Sequence, residues 1–457
     1  MRCLNKVDTN AVSSKKVDGK KVASKKVHSN PSIPGASRAL SMATFAFAAN
    51  FAVWILYAVI GLELQQSLQL SATELGLFFA SPMLTGALAR MPMGILADRY
   101  NPKHLFTLQM LAVVPALLIL PLVESLDQYL WLGLWLGFSG ASFTIGIRYV
   151  CAWYSRDTQG TAMGIFGAGN AGAAMTLAIA PLIIQHWGWD SLGPSYAVGL
   201  LVVALLFAWL APSSRSPNKS SVNNSSLSQN PLSISSYLKE IGELKVWRFG
   251  LYYYFVFGSF LALIMWLPQY YVNAYNLSIQ QAMAFTLFFV ATSSMVRALG
   301  GWFADRYGGR AVNWTVFWIC LVCLFFLSYP PTTMTIHGVS SDVHLDIEIN
   351  LWLFSGLIFV IGIAQGFGRA SVYKTIYDYY PNQMGSVGGF VAAIGALGGC
   401  TLPIAFGLVV DIMGIYSACF MLLYAVLAVC MTTMFFANKA DRLRQRINHA
   451  QSHNFLD

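Results

Sequence analysis

Arg90, Arg148, Arg297, Arg369 and Lys374 lie inside long apolar stretches of the chain. A charge at bilayer depth costs about 3 kcal/mol or more, so each of the five must face a cavity, bind something or find a partner. Arg90 precedes Asp98 by eight residues, and Arg297 precedes Asp305 by the same eight. That spacing is about 12 Å of helix rise in a hydrocarbon core about 30 Å thick. Both guanidiniums therefore belong near the midplane, at one depth, facing each other as an anion site requires. The 19 Asp and Glu offer them no counterion, because each falls in a tail, a loop or the last turns of an apolar stretch, as Glu63, Glu74, Asp98, Asp305, Asp378 and Asp411 do. The seven histidines are placed likewise, so the usual intramembrane proton carriers are missing. A positive, carboxylate-free cavity argues against cation or drug export and against proton-coupled sugar uptake. It favours a small anion.

The elements that must position these residues follow from composition. Of 457 residues, 56% are hydrophobic and only 10% charged, against about 25% charged in a soluble domain. Twelve apolar stretches are read at about 40–62, 73–97, 104–123, 128–152, 160–184, 193–212, 248–272, 281–304, 312–330, 350–375, 385–411 and 415–437. Each is long enough for one crossing, so the fold class is an all-α integral membrane protein. The Ser/Asn-rich segment SSRSPNKSSVNNSSLSQN cannot form a core, and it divides the chain six plus six. The organisation read is a basic tail at 1–39, a six-helix bundle at 40–212, a linker at 213–245, a second bundle at 246–437 and a tail at 438–457. Of 28 Lys and Arg, 23 fall in the tails, the linker and alternate loops, on one side, which the positive-inside rule makes cytoplasmic, with both termini there. The net charge of +9 thus reports orientation and gives no support for a nucleic-acid partner. The tail's Lys-Lys-Val repeats at 15–17, 20–22 and 25–27 read as a solvated segment or one attracted to anionic headgroups. No secretory cleavage pattern is found. Seven scattered cysteines show no disulfide spacing, and Cys320-x-x-Cys323 lacks the second ligand pair a metal needs. No catalytic constellation and no cofactor motif is present, so an enzyme is not expected.

The halves repeat. Arg-x3-Gly-x3-Asp-Arg-Tyr occurs as Arg90/Gly94/Asp98/Arg99/Tyr100 and again, 207 residues on, as Arg297/Gly301/Asp305/Arg306/Tyr307. Gly160 and Gly164 are echoed by Gly385 and Gly389 at an offset of 225, which leaves 18 extra residues for the loop at 331–349. Two parallel six-helix repeats match the major facilitator fold, in which substrate is held near the midplane between halves. The Gly-x-x-x-Asp-Arg loops resemble that superfamily's motif, although Asn101 and Pro102 depart from its usual glycine and basic residue. By this resemblance Gly94, Asp98, Arg99, Gly301, Asp305 and Arg306 belong to cytoplasmic gating loops; the alternative is charges that only fix topology.

The fifth stretch, GTAMGIFGAGNAGAAMTLAIAP, and the eleventh, GSVGGFVAAIGALGGCTLP, carry small residues at close-packing spacings, with Asn170 set among them. Gly164, Gly167, Gly169, Asn170 and Gly172, with Gly389, Gly395, Gly398 and Gly399, closely resemble the two signatures of the nitrate/nitrite porter family, over about residues 40–437. The resemblance implies a planar oxyanion, nitrate or nitrite, held between Arg90 and Arg297. It also implies Asn170 as an amide donor, Phe143 as an aromatic face and Tyr253 as a further contact; packing or lipid-facing aromatics are the alternative for the last two. Arg369, deep in GFGRASVYK, is expected to line the pathway. For Arg148 and Lys374, entrance or gating roles compete with snorkelling or helix-end pairing. GRASVYKTIYDYYP resembles the family's symporter-like branch, in which a basic residue of the tenth stretch adds to the site's positive charge, with Arg369 and Lys374 the candidates; the reading leans to proton-linked import, with protons carried by Lys374, tyrosines or water, and nitrate/nitrite exchange, which needs no titrating residue, is the alternative. A monomer is expected. The competing reading is a carrier of another small anion, a carboxylate or a phosphate ester.

Overall fold

A computed structural model describes residues 34–154, 156–213, 242–337, 342–380 and 384–453. The basic tail up to residue 33 and the linker residues 214–241 lie outside the described residues. Among the described residues, twelve helical spans are long and apolar enough to cross a membrane. They are span 1 (Ala36–Ser67), span 2 (Ala72–Ala97), span 3 (Pro102–Leu122), span 4 (Leu126–Cys151), span 5 (Ala162–Trp187) and span 6 (Trp189–Leu210). The second six are span 7 (Leu244–Tyr275), span 8 (Ile279–Tyr307), span 9 (Gly309–Leu327), span 10 (Leu351–Tyr379), span 11 (Val387–Met413) and span 12 (Ala418–Ala440).

Helix starts are written locally. Spans 2 and 8 open with capping boxes, Ser71 with Glu74 and Ser278 with Gln281, which satisfy backbone N–H groups that no earlier turn can reach. These boxes stand 207 residues apart, the offset of the Asp-Arg-Tyr repeat, so the duplication extends along the whole of both spans. Span 4 opens with Ser125 and Gln128 in the same way. Asn101 caps span 3 with Pro102 in its first turn, where a missing N–H costs nothing. The loop at 331–349 is more than a loop: β1 (Thr332–His337) and β2 (Asp342–Ile347) pair antiparallel as a hairpin.

Spans 1 and 7 are the most enclosed, and spans 3, 6, 9 and 12 the least. The peripheral spans accordingly expose large apolar side chains such as Leu108, Trp209, Phe325 and Phe436, which in a bilayer meet lipid tails. Spans 2 and 11 approach backbone to backbone: a Cβ on Gly76 would lie 2.4 Å from the Pro403 carbonyl oxygen, and one on Gly407 2.1 Å from that of Ala72.

That contact ties the two sets of six spans at the membrane face away from the termini. There the Asp411 carboxylate accepts from the backbone N–H groups of Ala72 (3.1 Å) and Thr73 (2.8 Å), capping the start of span 2 from the other half of the chain. Gln269 bonds Gln65 between spans 7 and 1, and Gln280 bonds Gln185 between spans 8 and 5.

Candidate anion site

Regular helix gives way around the centre of the bundle. Span 2 breaks at Ala89, immediately before Arg90. Span 4 tightens to a 3-10 turn at Gly137–Ala141, span 5 does so at Ala168–Ala171, and span 7 widens to a π turn at Tyr254–Gly258. Such breaks free carbonyls from intrahelical bonding and re-aim side chains, which is why they collect at functional sites.

Three guanidiniums converge there, with relative exposures of 2% for Arg90, 6% for Arg297 and 0% for Arg369. Arg90 Nη1 donates to the Ala392 carbonyl at 2.9 Å, crossing from span 2 to span 11, and Nε reaches the Gly140 carbonyl at 3.4 Å. Its Cζ lies 5.3 to 5.4 Å from the ring centroids of Trp54, Phe143 and Phe257. Arg297 Cζ lies 5.9 Å from the same Phe143 ring, so one ring serves both charges, as attraction to ring quadrupoles allows. Arg369 packs 3.9 Å over Phe260, and its Nη2 donates to both the carbonyl and the hydroxyl of Ser293 at 2.7 Å.

Asn170, 1% exposed, joins two of these groups. With the amide turned so that its oxygen faces the cations, Oδ1 accepts from Arg297 Nη1 at 2.9 Å and from Arg369 Nη1 at 3.0 Å. In this arrangement the amide oxygen accepts from the arginines, and the NH2 group that sequence reasoning assigned to the anion remains a donor. Tyr253, 1% exposed, stacks on Phe257 with centroids 5.2 Å apart and meets Tyr373 edge-on at 5.1 Å. Tyr373 in turn donates to the Gly388 carbonyl at 3.1 Å. Among the described residues no Asp or Glu is buried.

The signature glycines sort by what they touch. Gly167 faces Arg297: a Cβ there would lie 2.9 Å from the guanidinium carbon. Gly172 lies against the Ala48 carbonyl and Gly398 against Gly258, both backbone contacts. Gly169, Gly395 and Gly399 seat Phe47, Tyr253 and Leu261, while Gly164 and Gly389 have nothing within 4 Å.

The remaining sequence candidates lie away from the cluster. Lys374 pairs with Asp305 at 3.2 Å and Asp378 at 3.3 Å, tying span 10 to the gating-loop end of span 8. Arg148 is exposed near the end of span 4. Gly94 packs toward Thr144, Gly301 has open space, Arg99 is exposed and Arg306 lies over Trp302. The Asp98 side chain lies outside the described ones. Sequence reasoning did not single out Trp54, Phe257, Phe260, Ser293, Tyr373 or Ala392, because aromatics, serines and a backbone carbonyl carry no signal in an apolar run.

Twelve spans around a cluster of buried arginines, with no buried carboxylate among the described residues, define a multi-pass membrane protein with a basic centre. The sequence profile of the Major Facilitator Superfamily matches residues 42–343. A probable nitrate/nitrite antiporter of Thermus thermophilus is 34% identical over 410 residues, covering 87% of this chain and 90% of its own. A nitrite extrusion protein of Bacillus subtilis is 29% identical, covering 85% and 91%. The chain belongs to the Major Facilitator Superfamily and, within it, to the nitrate/nitrite porter family. Among solved structures, a bacterial homologue of the human lysosomal transporter Spinster, inward-facing and occupied, aligns with a TM-score of 0.67 at 14% identity, over 89% of this chain and 98% of that one. The human organic anion transporter MFSD10 aligns at 0.64 and 14%, over 88% and 100%. At such identities these two report the fold alone.

Proposed function

We propose that the chain carries nitrate and nitrite across the cytoplasmic membrane by alternating access, as a monomer with both termini cytoplasmic. The observation that supports this is the convergence of Arg90, Arg297 and Arg369 on one buried centre without a buried carboxylate among the described residues. A small planar oxyanion suits guanidinium forks, which donate paired hydrogen bonds to adjacent oxygens. Phe143, between Arg90 and Arg297, offers the flat apolar wall that such an anion stacks against.

The acceptors now held by these arginines are what the anion replaces. Its oxygens take the Asn170 amide oxygen's place at Arg297 and Arg369, and the Ala392 carbonyl's place at Arg90. Each of those bonds joins the first six spans to the last six, so exchanging them for substrate alters how the halves are tied. The Asp411 cap and the two glutamine pairs close the extracellular end, and substrate then enters from the cytoplasm.

Exchange is the mode this centre favours, since it needs no titrating group. Proton-linked import through Lys374 is less well served, because that amine is held by two carboxylates five residues beyond Arg369. The deciding experiment is nitrate uptake into proteoliposomes, empty or preloaded with nitrite, with and without an inward proton gradient, for wild type and Arg297→Lys. Uptake that requires internal nitrite and is lost in the variant supports exchange through the arginines. Gradient-driven uptake into empty vesicles establishes symport. No nitrate movement in either case, from folded protein, refutes the substrate.

A further inference from the structure

The hairpin between spans 9 and 10 sorts its side chains by face. Alternate residues of a strand point to opposite sides of the sheet, and the register sets Thr333 opposite Asp346, Thr335 opposite His344 and His337 opposite Asp342 on one side. All three pairs are hydrogen-bonded: Thr333 Oγ1 donates to Asp346 Oδ1 at 2.9 Å, Thr335 Oγ1 meets His344 Nδ1 at 3.0 Å, and His337 Nδ1 meets Asp342 Oδ1 at 3.0 Å. The other side carries Met334 opposite Leu345, with Ile336 and Ile347 on the same face. These four apolar side chains are each between 40% and 45% exposed. A two-stranded hairpin is marginally stable in water by itself and needs its apolar face covered.

What covers that face follows from where the hairpin is tied. Four residues separate span 9 from β1, and three separate β2 from span 10, so neither tether reaches beyond about 15 Å. Tyr275 Oη donates to the Ile349 carbonyl at 3.0 Å, which pins the base of the hairpin to the end of span 7. The two spans that carry it expose Phe325, Phe326 and Leu353, and Tyr329 and Trp352 stand exposed at its two roots. Tyrosine and tryptophan at span ends mark the headgroup level. The apolar face therefore begins at the boundary between water and lipid, where the lipid-facing surface of spans 9 and 10 ends. Residues 331–350 include no Lys or Arg, so the contact on offer is apolar and not a pairing with phosphate.

We infer that the hairpin lies on the bilayer at the membrane face away from the termini. Met334, Ile336, Leu345 and Ile347 enter the interfacial layer, the Thr-His-Asp face stays in water, and the adjoining ends of spans 7, 9 and 10 are moored there. The inference rests on the membrane fold and not on the transported substrate.

The test is spin labelling of the full-length protein in phosphatidylcholine vesicles, with Cys3 and Cys151 changed to serine so that the native cysteines left are buried ones. Single cysteines are introduced along the hairpin, where every position labelled is exposed, and oxygen and a water-soluble nickel chelate report the surroundings of each label. Labels at Met334, Ile336, Leu345 and Ile347 are expected to favour oxygen and to sit about 5–10 Å below the headgroup boundary, the depth of interfacial amphipathic elements. Labels at Thr333, Thr335 and His344 are expected to favour nickel. Met334→Asp combined with Ile336→Asp is expected to return the label at Leu345 to water. Equal nickel access at all seven positions overturns the inference, as does a Leu345 label whose depth the double variant leaves unchanged. Shielding of the apolar positions from both probes, with spin–spin broadening between copies, also overturns it and assigns the face to a second copy of the chain.

Discussion

Gly167→Ala is the smallest perturbation that reaches the proposed substrate site. A Cβ at Gly167 would lie 2.9 Å from Arg297 Cζ, 3.0 Å from Nε and 3.2 Å from Nη1, where ordinary contact begins at 3.4 Å. The guanidinium must therefore retreat by about 0.5 Å, the difference between 3.4 and 2.9 Å, which is about the tolerance of a preorganised site. One charge-assisted hydrogen bond to the anion is then lost or misaimed, at about 1.5–3 kcal/mol, or about 10- to 150-fold in Kd. The fold is spared, because the atoms that must move are the far end of a flexible side chain and alanine favours helix over glycine by about 1 kcal/mol. Gly164→Ala is the control, since nothing lies within 4 Å of its added methyl. Nitrate affinity by calorimetry, nitrite-loaded uptake and Tm are measured for both variants. Gly167→Ala is expected to keep its Tm and lose at least tenfold in affinity, and Gly164→Ala to match wild type in all three. If Gly167→Ala binds nitrate within about twofold of wild type, or if Gly164→Ala is equally impaired, the placement of Arg297 at the anion is wrong.

Other perturbations probe different parts of the same scheme. Asn170→Asp puts a carboxylate where the amide oxygen stands 2.9 and 3.0 Å from two guanidiniums; it should occupy the donors permanently and weaken nitrate binding by more than about 100-fold in folded protein, and near-normal binding would contradict the site. Asp411→Asn keeps an acceptor but removes the charge at the start of span 2; a loss of about 0.5–1 kcal/mol predicts a two- to fivefold shift toward extracellular opening, read by spin-label distances across spans 2 and 11, and an unchanged distribution would rule the clasp out. Lys374→Gln removes pairs with the half-exposed Asp305 and Asp378; stability should fall by less than about 1 kcal/mol and nitrate affinity should hold, whereas an abolished proton response would return the lysine to the coupling path.

Much of the architecture is legible along the chain because hydropathy and charge asymmetry are one-dimensional signals. The twelve spans fall within several residues of where apolar runs place them, and the Arg90 and Arg297 side chains of the Arg-x3-Gly-x3-Asp-Arg-Tyr repeat both lie within 6 Å of one ring, Phe143. The hairpin at 332–347 was hidden in a loop whose strands expose most of their side chains and so carry no burial pattern. Asp411 read only as an acid near a span end; its role as a cap depends on a helix 338 residues earlier in the chain.

The central site divides the same way. Residue type and depth already point to buried arginines, because an unpaired charge in lipid is too costly to keep without purpose, and among the described residues Arg90, Arg297 and Arg369 are buried while no Asp or Glu is. Which arginines share that centre is decided by helix rotation and by local breaks, neither of which follows from hydropathy. Arg369, expected along the pathway or adding to the charge of the site, meets Asn170 on the 3-10 turn of span 5 at Ala168–Ala171. Gly164 and Gly167 are equal members of one signature in the sequence, yet one faces open space and the other a guanidinium. The sequence determines the fold, since that depends on sums of hydropathy over many residues. The tertiary structure alone decides the contacts, since those depend on where single atoms come within a few ångströms of one another.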